Sequence, residues 1–377
     1  MPKSGRAQTT QCVELFHECF YSHPVVGLST VVMISEETMF NINRRKLFAL
    51  MGGTIATSTL AMPAIASTRK IRVGALRFTS HAGSFVAYER NYFRQAGLDV
   101  EFKYFQAAQP MAIAVAAGEV DYAVTAISAG LASLAKQDAI KVIGGALREE
   151  PGIDGQKYLV SDAAYKDGIR TTEELDGKRY AVTQMGSSFH YMGSKMAAVD
   201  GIELSYTPLQ TVGAIIGAIK SGQVDAWSIV PHLAKPLTKT GAVHIIGNVA
   251  DYLPDYQVTN VFTSARNAKD ERAITANFLA GYAHGVDDYA AAMIEKSAGD
   301  DALNAMVDLL HKHVYVDRSR ENAAASIING AMRLNKGAAL NIASVQDQLE
   351  WFQIQGLVDA DVTIEMLVDP SYVTVLR

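Results

Sequence analysis

A two-lobed α/β fold is predicted for this chain, each lobe a mainly parallel sheet flanked by helices, with a hinge between lobes and a helical C-terminal part. Three observations carry it. Gly118-Glu119-Val120-Asp121 and Gly222-Gln223-Val224-Asp225 repeat one pattern about a hundred residues apart. Each is preceded by an Ala-rich helical run (111–117; 212–220) and followed by an apolar strand (122–125; 226–230) and a small-residue helix (128–135; 231–237). Second, Gly83-Ser84-Phe85 follows a strand at 71–76, and Gly186-Ser187-Ser188-Phe189 follows a strand at 179–182. The interval from Gly83 to Gly118 differs by one residue from that between Gly186 and Gly222. Two copies of one unit at matching spacing predict two similar lobes. Third, strands alternate with helices from 70 to about 255, the pattern of mainly parallel sheets.

The elements follow in order. Residues 70–76 form a strand. Residues 84–95 form a helix with Phe85, Tyr88, Tyr92 and Phe93 on its apolar side, ended by Gly97. Residues 98–105 alternate as a strand, Pro110 opens the next helix, and 141–146 is another strand. The short strand 158–160 reads as the first crossing between lobes. Thr171-Thr172-Glu173-Glu174 is a capping box before the strand 179–182. Residues 257–264 are β-rich and read as the crossing back. From Asp270 the pattern is helical to about Gln355, with breaks near Gly299, 314–316 and Gly337, and these helices are expected to pack on the first lobe. The predicted division is lobe I over 67–160, lobe II over 161–257, and the second part of lobe I with the helical tail over 258–377.

The 377 residues are 49% hydrophobic, enough for two cores, and the net charge of −5 without a basic block argues against nucleic acid. The N-terminal region carries an address. Asn43-Arg44-Arg45-Lys46 precedes an apolar, Gly-containing run, and Ala64-Ile65-Ala66 ends it. That is the layout of an export signal over 39–66 cleaved after Ala66, and the arginine pair also fits the twin-arginine route. Residues 1–38 are then expected to be a non-native extension. Both cysteines, Cys12 and Cys19, lie there. The exported chain would have no cysteine, hence no disulfide, thiolate nucleophile or Cys-bound metal.

Ligands of open parallel sheets bind beyond the carboxyl ends of the strands, so the candidates are the residues just past them. After the first strand stand Arg77, Phe78, Ser80 and His81; after 179–182 stand Gln184, Gly186, Ser187 and Ser188. Thr125 and Ser128 follow the first Gly-x-Val-Asp unit; Trp227 and His232 follow the second. Helix N-termini favour anions, and Arg77 adds a fork suited to carboxylate or sulfonate. Trp227 is a stacking face or a core residue; Ser187 and Ser188 are ligand contacts or simple caps. Asp121 and Asp225 are expected to shape turns. His81, His190 and His232 lie on cleft loops. A zinc site is disfavoured because no short spacing links them; as cleft histidines they would bond an anion and make binding pH-dependent. No Gly-x-Ser-x-Gly, Walker loop or Gly-x-Gly-x-x-Gly occurs, so neither an enzyme nor a cofactor is predicted.

Ile71-Arg72-Val73-Gly74, Ala116-Ala117-Gly118-Glu119-Val120-Asp121, Leu175-Asp176-Gly177-Lys178-Arg179-Tyr180-Ala181-Val182, Gly186-Ser187-Ser188-Phe189-His190-Tyr191 and Ala218-Ile219-Lys220-Ser221-Gly222-Gln223-Val224-Asp225-Ala226 together resemble the nitrate/sulfonate/taurine group of periplasmic solute-binding proteins of ABC transporters, which includes thiamine-precursor binders. The resemblance implies a hinge-closing, monomeric periplasmic protein. It would capture a small organic anion and deliver it to an ABC permease in the inner membrane. It also implies ligand contact by the Gly186-Ser187-Ser188 turn and the loop after the first strand. The family often has an aromatic and an acidic residue before the proline matching Pro231; here Ile229 and Val230 stand there. A more apolar pocket suits a bulkier acid, such as an aromatic carboxylate or sulfonate. The competing readings are a pyrimidine-precursor binder or enzyme of related fold, and a sensor module for a membrane receptor.

Overall fold

The computed structural model describes residues 68–376; the expected N-terminal extension and export signal lie outside them. Ten strands occur among these residues: β1 (Arg69–Ala75), β2 (Leu98–Tyr104), β3 (Tyr122–Ala126), β4 (Ile140–Gly145), β5 (Lys157–Ser161), β6 (Arg179–Val182), β7 (Ser205–Pro208), β8 (Ala226–Ile229), β9 (Val243–Asn248) and β10 (Thr259–Ser264). They form two five-stranded sheets, β2-β1-β3-β10-β4 and β7-β6-β8-β5-β9. The two orders are the same topology read twice, and each sheet with its helices is a lobe.

Both sheets are mixed. β10 runs antiparallel between β3 and β4, and β5 runs antiparallel between β8 and β9. Both antiparallel strands are the first to enter their sheet after the chain has crossed from the other lobe. A chain that crosses at the carboxyl ends of the parallel strands must enter the next sheet from that end, so it runs against its neighbours. This moves the crossing. Residues 158–160, expected to bridge the lobes, lie inside the second sheet as part of β5, and most of 257–264, expected to be the crossing back, lies inside the first as β10. The connections instead run from Gly145 to Lys157 and from Asn248 to Thr259, and they pair with each other: the Glu149 amide donates to the Tyr256 carbonyl (2.9 Å) and the Val258 amide to the Leu147 carbonyl (2.9 Å).

The duplicated Gly-x-Val-Asp turns are held by duplicated clamps. Arg72 donates its amide and Nε to Asp121 Oδ2 and its Nη2 to the Gly118 carbonyl. Arg179 makes the same contacts with Asp225 and the Gly222 carbonyl. Both glycines have φ of +71°, where a side chain is strained. The arginine on the first parallel strand of each lobe, β1 or β6, thus anchors the turn that launches the third, β3 or β8.

The helix expected at 84–95 breaks in two, Ala82–Glu89 and Tyr92–Gln95, at Asn91 with φ of +61°. The long helix Arg272–Tyr289 lies on the first of these; Gly285 permits the approach, since a Cβ there would meet the Gly83 carbonyl at 2.2 Å. Phe93, Phe278 and Tyr122 stack at centroid distances of 5.0 and 4.2 Å to join these helices to β3. The helical tail packs on the first lobe but also reaches the second: Asp347 on helix Ile342–Ile354 bonds Lys195 at 2.7 Å and accepts from the Tyr191 hydroxyl.

Candidate functional site

The carboxyl ends of β1, β3, β6 and β8 face one cavity between the lobes, with an empty volume of about 570 Å³ that is partly open to solvent. Leu76 and Phe78 come from the loop after β1, and Thr125 and Ala126 from the end of β3. Thr183 and Phe189 follow β6, and Ile229 and Val230 close β8. Leu147, Gln156, Val258 and Thr259 come from the two connections. None of the lining residues is Asp, Glu, Lys or Arg.

What the lining has instead is helix N-termini. Helices Ala108–Ala116, Ser188–Asp200 and Val212–Lys220 all begin with a lining residue. The short turn Thr79–His81 that leads into helix Ala82–Glu89 also borders the cavity, through Ser80 and His81. The first amides of a helix have no acceptor within it and carry part of the helix dipole. Ser187 caps its helix by accepting from the His190 amide at 3.4 Å, which leaves the amides of Ser188 and Phe189 unclaimed within the helix. Four N-termini around an apolar chamber create a positive potential without a cation.

The predicted site residues divide. Phe78, Ser80, His81, Thr125, Ser187 and Ser188 line the cavity. Arg77 does not: it is exposed, its Nη1 donates to the His313 carbonyl (3.0 Å), and its guanidinium lies 3.7 Å from the centre of the Tyr104 ring. An arginine at this loop turns away from the cavity because the Tyr104 ring at the end of β2 and the His313 carbonyl in the tail lie within its reach. Trp227 is fully buried in β8 with its edge to Phe189 at 5.6 Å, a core residue and no stacking platform. Ser128, Gln184 and Gly186 lie beside the cavity where the lobes meet, and the last two bond across. Ser128 donates to Gln109 Oε1 (2.9 Å) and Gln184 donates to the same oxygen (3.2 Å); the Gly186 carbonyl accepts from the Ala129 amide (2.9 Å). Gly186, at φ of +75°, has no room for a side chain, since a Cβ would lie 2.6 Å from that of Ala129. His232 lies outside the lining, fully buried, with Nδ1 3.0 Å from Thr79 Oγ1.

The three histidines do not converge. His190 Nδ1 accepts from the Gly186 amide at 3.0 Å and its ring sits edge-on to Tyr206 and Trp351. No group of three metal-ligating side chains occurs among the described residues. Burial holds His81 down to about 3 and His190 to about 4; burial and then His81 hold His232 to about 3. All three are neutral at neutral pH.

Thr183 and Phe189 were legible by the strand-end rule, one position from residues it selected. Gln156, Leu147, Val258 and Thr259 were not: they line the cavity because the connections pass along it, and no local pattern marks that. Gln156 is buried and its Nε2 has the Met192 sulfur as acceptor at 3.2 Å.

Residues 78–293, more than half of the chain, match the family model described as NMT1/THI5 like. The chain belongs to the NMT1/THI5-like family. Solved structures show the fold this family chain adopts, that of periplasmic binding proteins. It is similar to the alkanesulfonate-binding protein SsuA from Xanthomonas axonopodis pv. citri bound to MOPS, with 18% identity, TM-score 0.63, 80% of this chain and 98% of that one covered. It is similar to the periplasmic nitrate-binding protein NrtA from Synechocystis PCC 6803, with 13% identity, TM-score 0.62, and 80% and 86% covered. The desulfurization enzyme DSZB shares the fold at 15% identity and TM-score 0.51, with 81% and 97% covered. No curated protein matches the NMT1/THI5-like chain.

Proposed function

We propose that this NMT1/THI5-like chain is the exported, monomeric solute-binding component of an ABC importer. It captures a small organic acid with a largely apolar, aromatic-sized body and delivers it to a permease without chemical turnover. The observation that carries the reading is the cavity itself: walls of Leu76, Phe78, Phe189, Val212, Ile229 and Val230, no charged side chain, and four helix N-termini opening into it. Apolar walls bind the body, and free amides bind a carboxylate or sulfonate. That similar folds bind an alkanesulfonate and nitrate supports an anion. The absence of Arg77 from the wall supports an acid whose affinity comes mainly from burial of its body. Closure occurs about the paired connections at Leu147, Glu149, Tyr256 and Val258.

Isothermal calorimetry decides it. Aromatic carboxylates and sulfonates should bind, and nitrate and taurine should bind weakly or not at all. Tight binding of nitrate or taurine with no response to aromatic acids overturns the proposed ligand class. Consumption of a bound acid, followed by chromatography, would instead support an enzyme of this fold.

A further inference from the structure

His232 belongs to one lobe and is buried in the other. It is the second residue of helix Pro231–Lys239, which leaves β8, and none of its surface is exposed. The socket is built by the first lobe and its tail. Thr79 Oγ1 lies 3.0 Å from Nδ1, the Phe78 ring meets the imidazole edge-on at 5.1 Å, and the Tyr315 hydroxyl donates to the His232 carbonyl. Gly330 closes the socket: a Cβ there would lie 2.2 Å from His232 Cβ and 2.7 Å from its Cα.

The hydrogen bonds determine the tautomer. The Thr79 hydroxyl has one proton and donates it to the Gly330 carbonyl at 3.0 Å. The bond between Thr79 and His232 must therefore be donated by Nδ1–H, which leaves a lone pair on Nε2. That nitrogen is buried without a partner. The titratable group whose charge acts on His232 is His81, whose Nδ1 is likewise buried with no hydrogen-bond partner. Protonation would place an N–H and a charge in a buried spot where Nε2 has no acceptor within hydrogen-bond distance.

We propose that His232 is an interlobe latch whose neutral imidazole completes the closed state, so that protonation opposes closure. The inference rests on the hinge reading above. The other ionisable groups around the socket are already engaged. Lys235, one turn along the same helix, bonds Asp154 and the Asn329 carbonyl; Arg318 lies over the Tyr315 ring; Arg77 bonds the His313 carbonyl. The Tyr315 hydroxyl is pushed up to about 12 by burial and stays neutral. The sign follows. In the closed state His232 is held to about 3; once wetted by opening it returns to its ordinary 6.5. Closure is unaffected above pH 6.5, and the closed-to-open ratio falls tenfold per pH unit below it for this one group. This is the reverse of the dependence expected if protonated cleft histidines attracted the anion.

The test uses the full chain with Cys12→Ser and Cys19→Ser and spin labels at Ile113→Cys and Val199→Cys, exposed positions on the two lobes. Interlobe distance distributions are measured by double electron–electron resonance from pH 8 to pH 5. The wild-type background should show the short distance at pH 8, giving way to a longer one below pH 6.5. His232→Gln, whose amide can still donate to Thr79 but does not titrate, should lose about a tenfold dependence per pH unit. Gly330→Ala should favour the long distance at every pH. Two distances whose ratio ignores pH, or an unchanged slope in His232→Gln, would overturn the latch alone. One distance in every variant at every pH would overturn the hinge reading and the latch with it.

Discussion

At the scale of single residues, the structure separates positions that face the cavity from those that only stand near it in sequence. Arg77 stands two residues past β1, yet its guanidinium is engaged by Tyr104 and the His313 carbonyl. Arg77→Ala should leave affinity for an aromatic acid within about twofold by calorimetry. It should lower stability by roughly 1 kcal/mol in urea unfolding, the usual size of a partly exposed cation–π contact and one hydrogen bond. Ala108 gives the converse. It is half-buried, lines the cavity and is the first residue of helix Ala108–Ala116. An aspartate there suits the helix dipole but repels an anion. Ala108→Asp should therefore keep the thermal midpoint while weakening binding at least tenfold, about 1.4 kcal/mol. Unchanged affinity would mean that the anionic group does not sit among the helix N-termini.

At the scale of elements, the two connections are more than tethers. Glu149 is fully buried where they pair; its Oε1 accepts from the Gln156 amide at 3.0 Å, while Oε2 has no partner and packs against Gly155. Burial pushes the carboxyl up to about 7 despite the bonds from Gln156. A raised folded-state value means the group stabilises the fold fully below its ordinary 4.5 and loses that contribution as pH rises through about 7. Between pH 4.5 and pH 8 this amounts to on the order of 3 kcal/mol. Urea unfolding of Glu149→Gln across that range should lack this decline; an identical slope in the variant would refute it. The clamps show how strands were readable. Asp225 is pushed up by burial, but Arg179 outweighs this and holds it below the usual carboxylate range. That pairing is why Gly-x-Val-Asp recurs as a turn and not as a ligand site. Strand and helix order could be read because each element satisfies its own backbone and buries a face with a period visible in its residues. The break at Asn91 could not: the residues 84–95 keep one apolar face through it.

For the whole molecule, duplication is the organising fact, and its departures carry the function. Each lobe has five strands in one topology, and each has an arginine clamp on the turn before its third parallel strand. The departures are where the lobes meet. Thr79 bonds His232 through side chains, whereas the equivalent loops meet through the Gly186 carbonyl and the Ala129 amide, and the tail contributes Tyr315, Gly330 and Asp347 to contacts that cross between lobes. The cavity is bounded on one side by connections whose course depends on both sheets. Gln156 and Val258 therefore face the cavity although nothing beside them in the chain marks them, and Trp227, for which a stacking face and a core residue were both open, is a core residue of β8.

By itself, the sequence determined the family, the two α/β units, the turns that launch their strands and the strand-end loops where a ligand should be sought. Those features are local: a glycine at positive φ, an aspartate within reach of an arginine, a capping serine and a run of apolar residues act over a few positions. Only the tertiary structure decided which loop residues face inward, that the wall is free of charge, and that His232 is enclosed by the opposite lobe. Those depend on how two sheets are set across a chain that passes between them twice, and the direction of a side chain such as Arg77 is chosen by whichever distant partner that arrangement brings within reach.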